Sequence, residues 1–229
     1  QRIQAQQPFG LRRLDLEGQA AEQVAARREE EAQQPFDLCQ GPLLRVTLAR
    51  LDDEDHQLWV TLHHIVADGW SLNILLDEFA KLYAAHCQGQ TANLAPLPLG
   101  YADYGTWQRQ WLADGEAERQ LHYWKAKLGD ELPVLDLCTD QPRASQRDKR
   151  AARYHLKVPA KLTEALKGLA REQQASLFMV LLAGWQSVLH RYTGQADIRV
   201  GVPNANRPRL ETQGLVGFFI NSQVLRAQL

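Results

Sequence analysis

Apolar and polar residues alternate with a period of two along two neighbouring runs, residues 44–51 and 57–64. In the second run Leu58, Val60, Leu62 and His64 fall on one face, and Gln57, Trp59, Thr61 and His63 on the other. The acidic stretch Asp52-Asp53-Glu54-Asp55 joins the runs, so the pattern predicts an antiparallel hairpin. Elsewhere the apolar spacing turns helical. Residues 19–33, rich in Ala, Glu and Arg, read as a surface helix that Pro35 ends. Leu72, Leu75, Phe79, Leu82 and Tyr83 share one helical face in residues 71–88, with Ser71 as N-cap and Gly89 as stop. Residues 101–128 are helical with a break near Gly115, and Trp107, Trp111 and Trp124 are expected in the core. Beyond a connector come a short strand at 153–158, a helix at 161–173 and a helix at 177–192. Ser176 caps the last of these, and it is apolar on most sides, so deep burial is expected. Strands at 196–202 and 216–225 complete the reading. The mixture predicts an α/β protein of two lobes, residues 1–140 and 152–229. The polar stretch 141–151, with Pro142, Arg143, Arg147, Lys149 and Arg150, reads as a solvated inter-lobe linker.

Composition narrows the class of partner. With 26 basic and 27 acidic residues in 229, the net charge of -1 gives no bulk attraction for nucleic acid or an anionic membrane. No apolar run is long enough for a bilayer span, and residues 1–9 lack the apolar centre of a signal peptide. Cys39, Cys87 and Cys138 are odd in number and widely spaced, which supports neither a disulfide framework nor a zinc knuckle. A reduced, cytoplasmic setting is the expectation.

The chemistry concentrates in His63-His64-Ile65-Val66-Ala67-Asp68-Gly69-Trp70-Ser71, where a strand runs out and a helix begins. Adjacent strand residues diverge, so the two histidines have different surroundings. His64, at the end of an apolar face, is expected to be partly desolvated, hence neutral and able to accept a proton. Asp68 either orients His64 or pairs with an arginine to fix the turn. Gly69 allows unusual backbone angles and close approach of a substrate. A histidine on an apolar face also serves as an ordinary core residue, and residue chemistry alone leaves both readings open. His56, His86, His122, His155 and His190 show no metal-ligand spacing.

Several segments together resemble one family. Residues 63–71 match the HHxxxDG motif of nonribosomal peptide synthetase condensation domains, which have the chloramphenicol-acetyltransferase-like fold. Phe36-Asp37-Leu38 and Gly41-Pro42-Leu43-Leu44-Arg45 resemble the approach to that motif. Tyr101-Ala102-Asp103-Tyr104 with Trp107 resembles a YxDYxxW segment. Residues 201–207 resemble a GxPxANR loop, and residues 216–222 with Arg226 a GxFVNT strand. The order is that of the family, and the resemblance implies an internal portion of about half a domain.

The resemblance implies peptide-bond formation between two thioesters carried on the 4'-phosphopantetheine arms of donor and acceptor carrier domains, beside an adenylation domain, with no cofactor bound directly. It implies His64 as the residue that positions the acceptor amine and takes its proton, and Gly69 as a lining residue whose N–H faces the developing oxyanion. Asp68 takes a structural role, paired across the lobe junction with Arg207, or with Arg45 as the rival partner. His63 and Trp70 support the turn, and Asn221 holds strand geometry between lobes or serves as a plain edge residue. Two other members of the superfamily remain in view. One is an epimerisation domain, which shares HHxxxDG. The other is a non-catalytic recruiting domain, a type that often loses the second histidine, whereas His64 is present.

Overall fold

A computed structural model describes residues 9–131, 133–138 and 154–229. The expected linker at 141–151 lies outside the described residues. The chain divides into two compact units, one comprising residues 1–115 and 205–221, the other 116–204 and 222–229.

The first unit begins with β1 (Arg12–Asp15), α1 (Ala21–Gln33), β2 (Leu44–Arg50) and β3 (His56–Leu62). The expected hairpin is present, with Thr47 opposite Trp59 and Ala49 opposite Gln57. The Leu51 N–H donates to the Asp55 carbonyl across the acidic loop. Strand β1, four residues of mostly charged sequence that the periodicity did not predict, adds in parallel to β2. Leu16, Val24, Ala49 and Trp59 form a core between this sheet and α1. It is therefore the Trp59 face of β3 that is buried, while Leu58 and Val60 are exposed.

Arg12 and the Thr47 hydroxyl both donate to the buried Glu31 of α1. Arg45 donates to the carbonyls of Glu31, Gln34 and Pro35 and lies 3.8 Å over the Phe36 ring. It thus satisfies the carbonyls that a helix C-terminus leaves unpaired.

Helix α2 (Gly69–Cys87) follows β3. Its N-cap is Asp68 rather than Ser71, because the Asp68 carboxylate accepts the Ser71 N–H. Helix α3 (Tyr101–Trp111) leads into a wide turn at Leu112–Glu116, where Gly115 has φ of 102°. The predicted helix break falls there because that angle suits glycine. Tyr104 is the buried aromatic of α3, packed with Leu215 and Phe219, with Trp107 partly buried against them. Trp111 is exposed, contrary to the core position expected for it.

In the second unit α4 (Ala117–Leu128), α5 (Ala160–Glu172), α6 (Leu177–Thr193), β4 (Asp197–Asn204) and β5 (Asn221–Gln228) follow in order, with β4 paired to β5. No strand forms over the described residues from Tyr154 to Val158, and the last strand starts at Asn221 rather than 216. Trp124 is half-buried on α4. Ser176 caps α6 as expected, accepting the Met179 N–H. The expected deep burial of α6 is not found. Gln186 and Leu189 are buried, but Phe178, Met179, Leu181, Trp185, Val188 and Tyr192 are exposed. One flank meets α5, β4 and, through Gln186, the Leu225 carbonyl of β5, while the apolar side chains just named remain exposed.

Arg199 and Arg226 both bond to Asp197 and hold its carboxyl down at about 2, from an ordinary 3.8. The same two guanidinium groups donate to the terminal carbonyls of α4, at Lys127 and Leu128.

Candidate active site

The site lies in the first unit, at the start of α2. Strand β3 ends at Leu62, so His63 and His64 stand in the turn beyond it, closed by the Val66 N–H donating to the His63 carbonyl at 3.1 Å. Alternation along β3 therefore does not set the direction of His64. Its side chain is exposed, so the expected desolvation is not what shapes its chemistry here.

Hydrogen bonding does that instead. His64 Nδ1 lies 2.8 Å from the Ala67 carbonyl oxygen. A carbonyl only accepts, so Nδ1 carries the proton, and in the neutral ring the lone pair is left on Nε2. The Phe218 ring meets the imidazole edge-on, with centroids 5.2 Å apart. His63 holds the opposite tautomer. Its Nδ1 accepts the Ile65 N–H at 3.1 Å, its backbone N–H donates to the Leu43 carbonyl, and its ring meets Phe36. Both nitrogen assignments follow from the neighbours, and they separate a turn-holding histidine from one with a free basic nitrogen.

Asp68 is enclosed by donors. Oδ1 accepts from the Ser71 N–H at 2.9 Å, the Ser71 hydroxyl at 2.8 Å and Arg207 Nη2 at 3.1 Å. Oδ2 accepts from the Phe219 N–H at 3.1 Å. The two ionic side chains are 2% and 1% exposed, so this is a buried ion pair. Burial pushes the Asp68 carboxyl up, but the Ser71 and Phe219 hydrogen bonds and the Arg207 charge outweigh it, and the net direction is down. Arg45 makes no such contact, being engaged at the end of α1. Both members of the pair belong to one unit, so the pair joins the α2 turn to the 205–221 segment, not one lobe to the other as the sequence suggested.

Arg207 does more than pair. Its Nη1 donates to the carbonyls of Thr212 and Leu215 at 2.7 and 2.6 Å, and its guanidinium stacks 3.8 Å over Phe219. Ser71, read from the sequence only as a cap, proves to be the second hub. Its fully buried hydroxyl accepts from Arg207 Nη2 and from the Gly217 N–H, and its one proton faces both Asp68 Oδ1 and the Gly217 carbonyl. Trp70 is exposed and donates from Nε1 to the Gln213 carbonyl at 2.9 Å. Asn221 is exposed and opens β5.

Gly69 is the first residue of α2, with an unstrained backbone, so conformational freedom is not what it supplies. A Cβ there would meet nothing within 4 Å. Its N–H belongs to the first turn of the helix, which has no intrahelical acceptor. Gly217 is the opposite case. A Cβ there would stand 2.5 Å from Tyr101 Cε2. Gly217→Ala is expected to lower stability by about 1–3 kcal/mol through overpacking, while Gly69→Ala leaves it within about 0.5 kcal/mol. Urea midpoints of the complete domain check this, and equal midpoints for the two variants would remove the close packing on Tyr101.

Against known proteins, the condensation-domain profile matches residues 1–229. The chain belongs to the condensation-domain family. A linear gramicidin synthase protein of Brevibacillus parabrevis is 47% identical over 225 residues, covering 96% of this chain and 3% of that protein. Among solved structures, the X-domain from teicoplanin biosynthesis matches with a TM-score of 0.87 at 27% identity, over 100% of this chain and 51% of that one. The first condensation domain of the calcium-dependent antibiotic synthetase, in complex with a substrate analogue, matches at 0.77 and 26%, over 97% and 51%. The mixed α/β fold is thus that of the chloramphenicol-acetyltransferase-like condensation domains, as expected. The chain spans about half of these solved domains and a few per cent of the gramicidin synthase protein. Among the described residues, no helix is long and apolar enough to cross a membrane.

Proposed function

We propose that the domain containing this chain forms peptide bonds between two carrier-bound thioesters. The observation that carries the reading is the His64 ring, exposed, with Nδ1–H spent on the Ala67 carbonyl and Nε2 unengaged among the described residues. A neutral acceptor amine attacks the donor thioester carbonyl. A C–N bond forms, the carbonyl π electrons move to oxygen, and Nε2 takes the amine proton. Collapse of the tetrahedral species breaks the C–S bond, and the proton returns to the departing donor-arm thiolate. The N–H of Gly69, in the first turn of α2, offers positive potential to the oxyanion. The open space over Gly69 lets the acyl group approach. Asp68 and Arg207 are buried away from this chemistry and hold the turn that sets it. Asn221, at the head of β5, keeps a supporting role in this reading. The substrates arrive on phosphopantetheine arms of donor and acceptor carrier domains in a cytoplasmic synthetase that also holds an adenylation domain. Proximity of the two tethered groups supplies much of the rate.

A second reading, a recruiting domain without catalysis, has in its favour the likeness to an X-domain solved as a complex with OxyB. The retained second histidine and its free Nε2 favour the enzyme. The discriminating assay loads both carriers of the intact synthetase and follows the acceptor-bound dipeptidyl thioester. Product is expected only when both carriers are loaded. Inversion of the α-carbon on one loaded carrier alone would mark an epimerase instead, and neither reaction would mark a recruiting domain.

A further inference from the structure

We infer that Tyr101 and Phe218 are positioning residues for the His64 imidazole, an inference that rests on the reading of His64 given above. The exposed His64 ring has two described contacts, the Ala67 carbonyl and the Phe218 ring. One hydrogen bond at Nδ1 fixes the tautomer but leaves the ring free to swing about that bond. The edge-on Phe218 ring removes this freedom, so the direction of the Nε2 lone pair depends on where Phe218 stands. Phe218 is itself 39% exposed, so packing on all sides does not hold it. Its backbone is held instead. The Tyr101 hydroxyl donates to the Phe218 carbonyl at 2.6 Å. The preceding Gly217 donates its N–H to the Ser71 hydroxyl, whose proton its carbonyl faces as acceptor, and the following Phe219 N–H donates to Asp68. The Tyr101 ring lies hard against Gly217 and edge-on to the buried Phe219, 5.2 Å between centroids. Phe219 points into the core with Tyr104, at 4.6 Å, and Phe218 is thereby turned toward His64. Tyr101, far from His64 in sequence and without contact to it, thus reaches the reaction centre through a pinned backbone and one aromatic ring.

The test uses the intact synthetase with both carriers loaded and follows single-turnover condensation. Phe218→Leu and Tyr101→Phe are expected to lower the maximal rate about five- to twentyfold, because misdirection of a catalytic group is costly. With a soluble aminoacyl thioester supplied in place of the loaded acceptor carrier, its concentration for half-maximal rate should stay within about twofold, since neither change removes a general binding contact. Phe218→Tyr, which keeps the ring edge, is expected to retain the wild-type rate. Placed on a His64→Ala background, Phe218→Leu and Tyr101→Phe should add no further loss, since they act through the imidazole. An unchanged maximal rate in Phe218→Leu would overturn the inference. So would the same fold-loss repeated on the His64→Ala background, which would mark a purely structural effect. A wild-type rate in His64→Ala alone would instead sink the reading of the site itself, so the two failures are told apart.

Discussion

His64→Ala is expected to lower the condensation rate by about 10²–10⁴-fold, the usual range for a positioned acid–base group, with the thermal midpoint nearly unchanged. The two halves of this expectation come from different observations. The rate effect follows from Nε2, the nitrogen left basic when Nδ1 donates to Ala67. The stability effect is small because the ring is exposed and makes one hydrogen bond within its own turn. That turn has other supports, since His63 accepts the Ile65 N–H and the Val66 N–H closes onto the His63 carbonyl. Residual activity from proximity of the two tethered reactants should remain well above background. A His64→Ala synthetase turning over within twofold of wild type would remove His64 from the mechanism. One with a collapsed midpoint would show that the residue serves the fold instead.

Asp68→Ala is expected to act the other way, on folding before chemistry. Removing the carboxylate leaves the Arg207 guanidinium buried without its counter-charge, and breaking such a pair costs about 3–5 kcal/mol. Against a typical domain stability of about 5–15 kcal/mol that is a large share. The loss should spread along residues 207–219, since Ser71 and the Phe219 N–H lose their acceptor as well. Soluble yield and the urea midpoint should both fall sharply, and a well-folded Asp68→Ala domain with full activity would refute the structural role.

The same carboxylate predicts a pH dependence. Its pKa in the folded state lies below the ordinary 3.8. The unfolded chain therefore takes up this proton first as pH falls. The stabilisation is complete above about pH 4 and is lost as acidification passes through the lower folded value. Asp68→Asn should be less stable at neutral pH, with a shallower acid slope. An acid slope equal to wild type would show that Asp68 carries no such linkage.

What could be read from the chain beforehand was what local patterns encode. The hairpin was legible because a period of two is a direct record of a pleated ladder, and the break at Gly115 because few other residues adopt a φ of 102°. The arginine partner was found through resemblance of the 201–207 loop, not through spacing, since 139 residues separate Arg207 from Asp68. Alternation does not say where a ladder stops, and so His64 was placed on a strand that ends two residues earlier. Ser71 was misread because serine and aspartate are both preferred N-caps. Only the tertiary position of Gly217 and Arg207 reveals that its hydroxyl ties a distant loop to the helix. The exposed face of α6 departs from expectation for a different reason. An apolar helix face predicts burial but does not say what buries it.

The most direct test of the chemistry is nitrogen-15 NMR of the complete domain with labelled histidine, with the His64 signals assigned by their loss in His64→Ala. In the neutral ring the proton should reside on Nδ1, with Nε2 showing the shift of an unprotonated, lone-pair nitrogen. A neutral ring protonated on Nε2 would mean that the Ala67 carbonyl does not set the tautomer and that the nitrogen facing the reactants has no lone pair with which to take a proton.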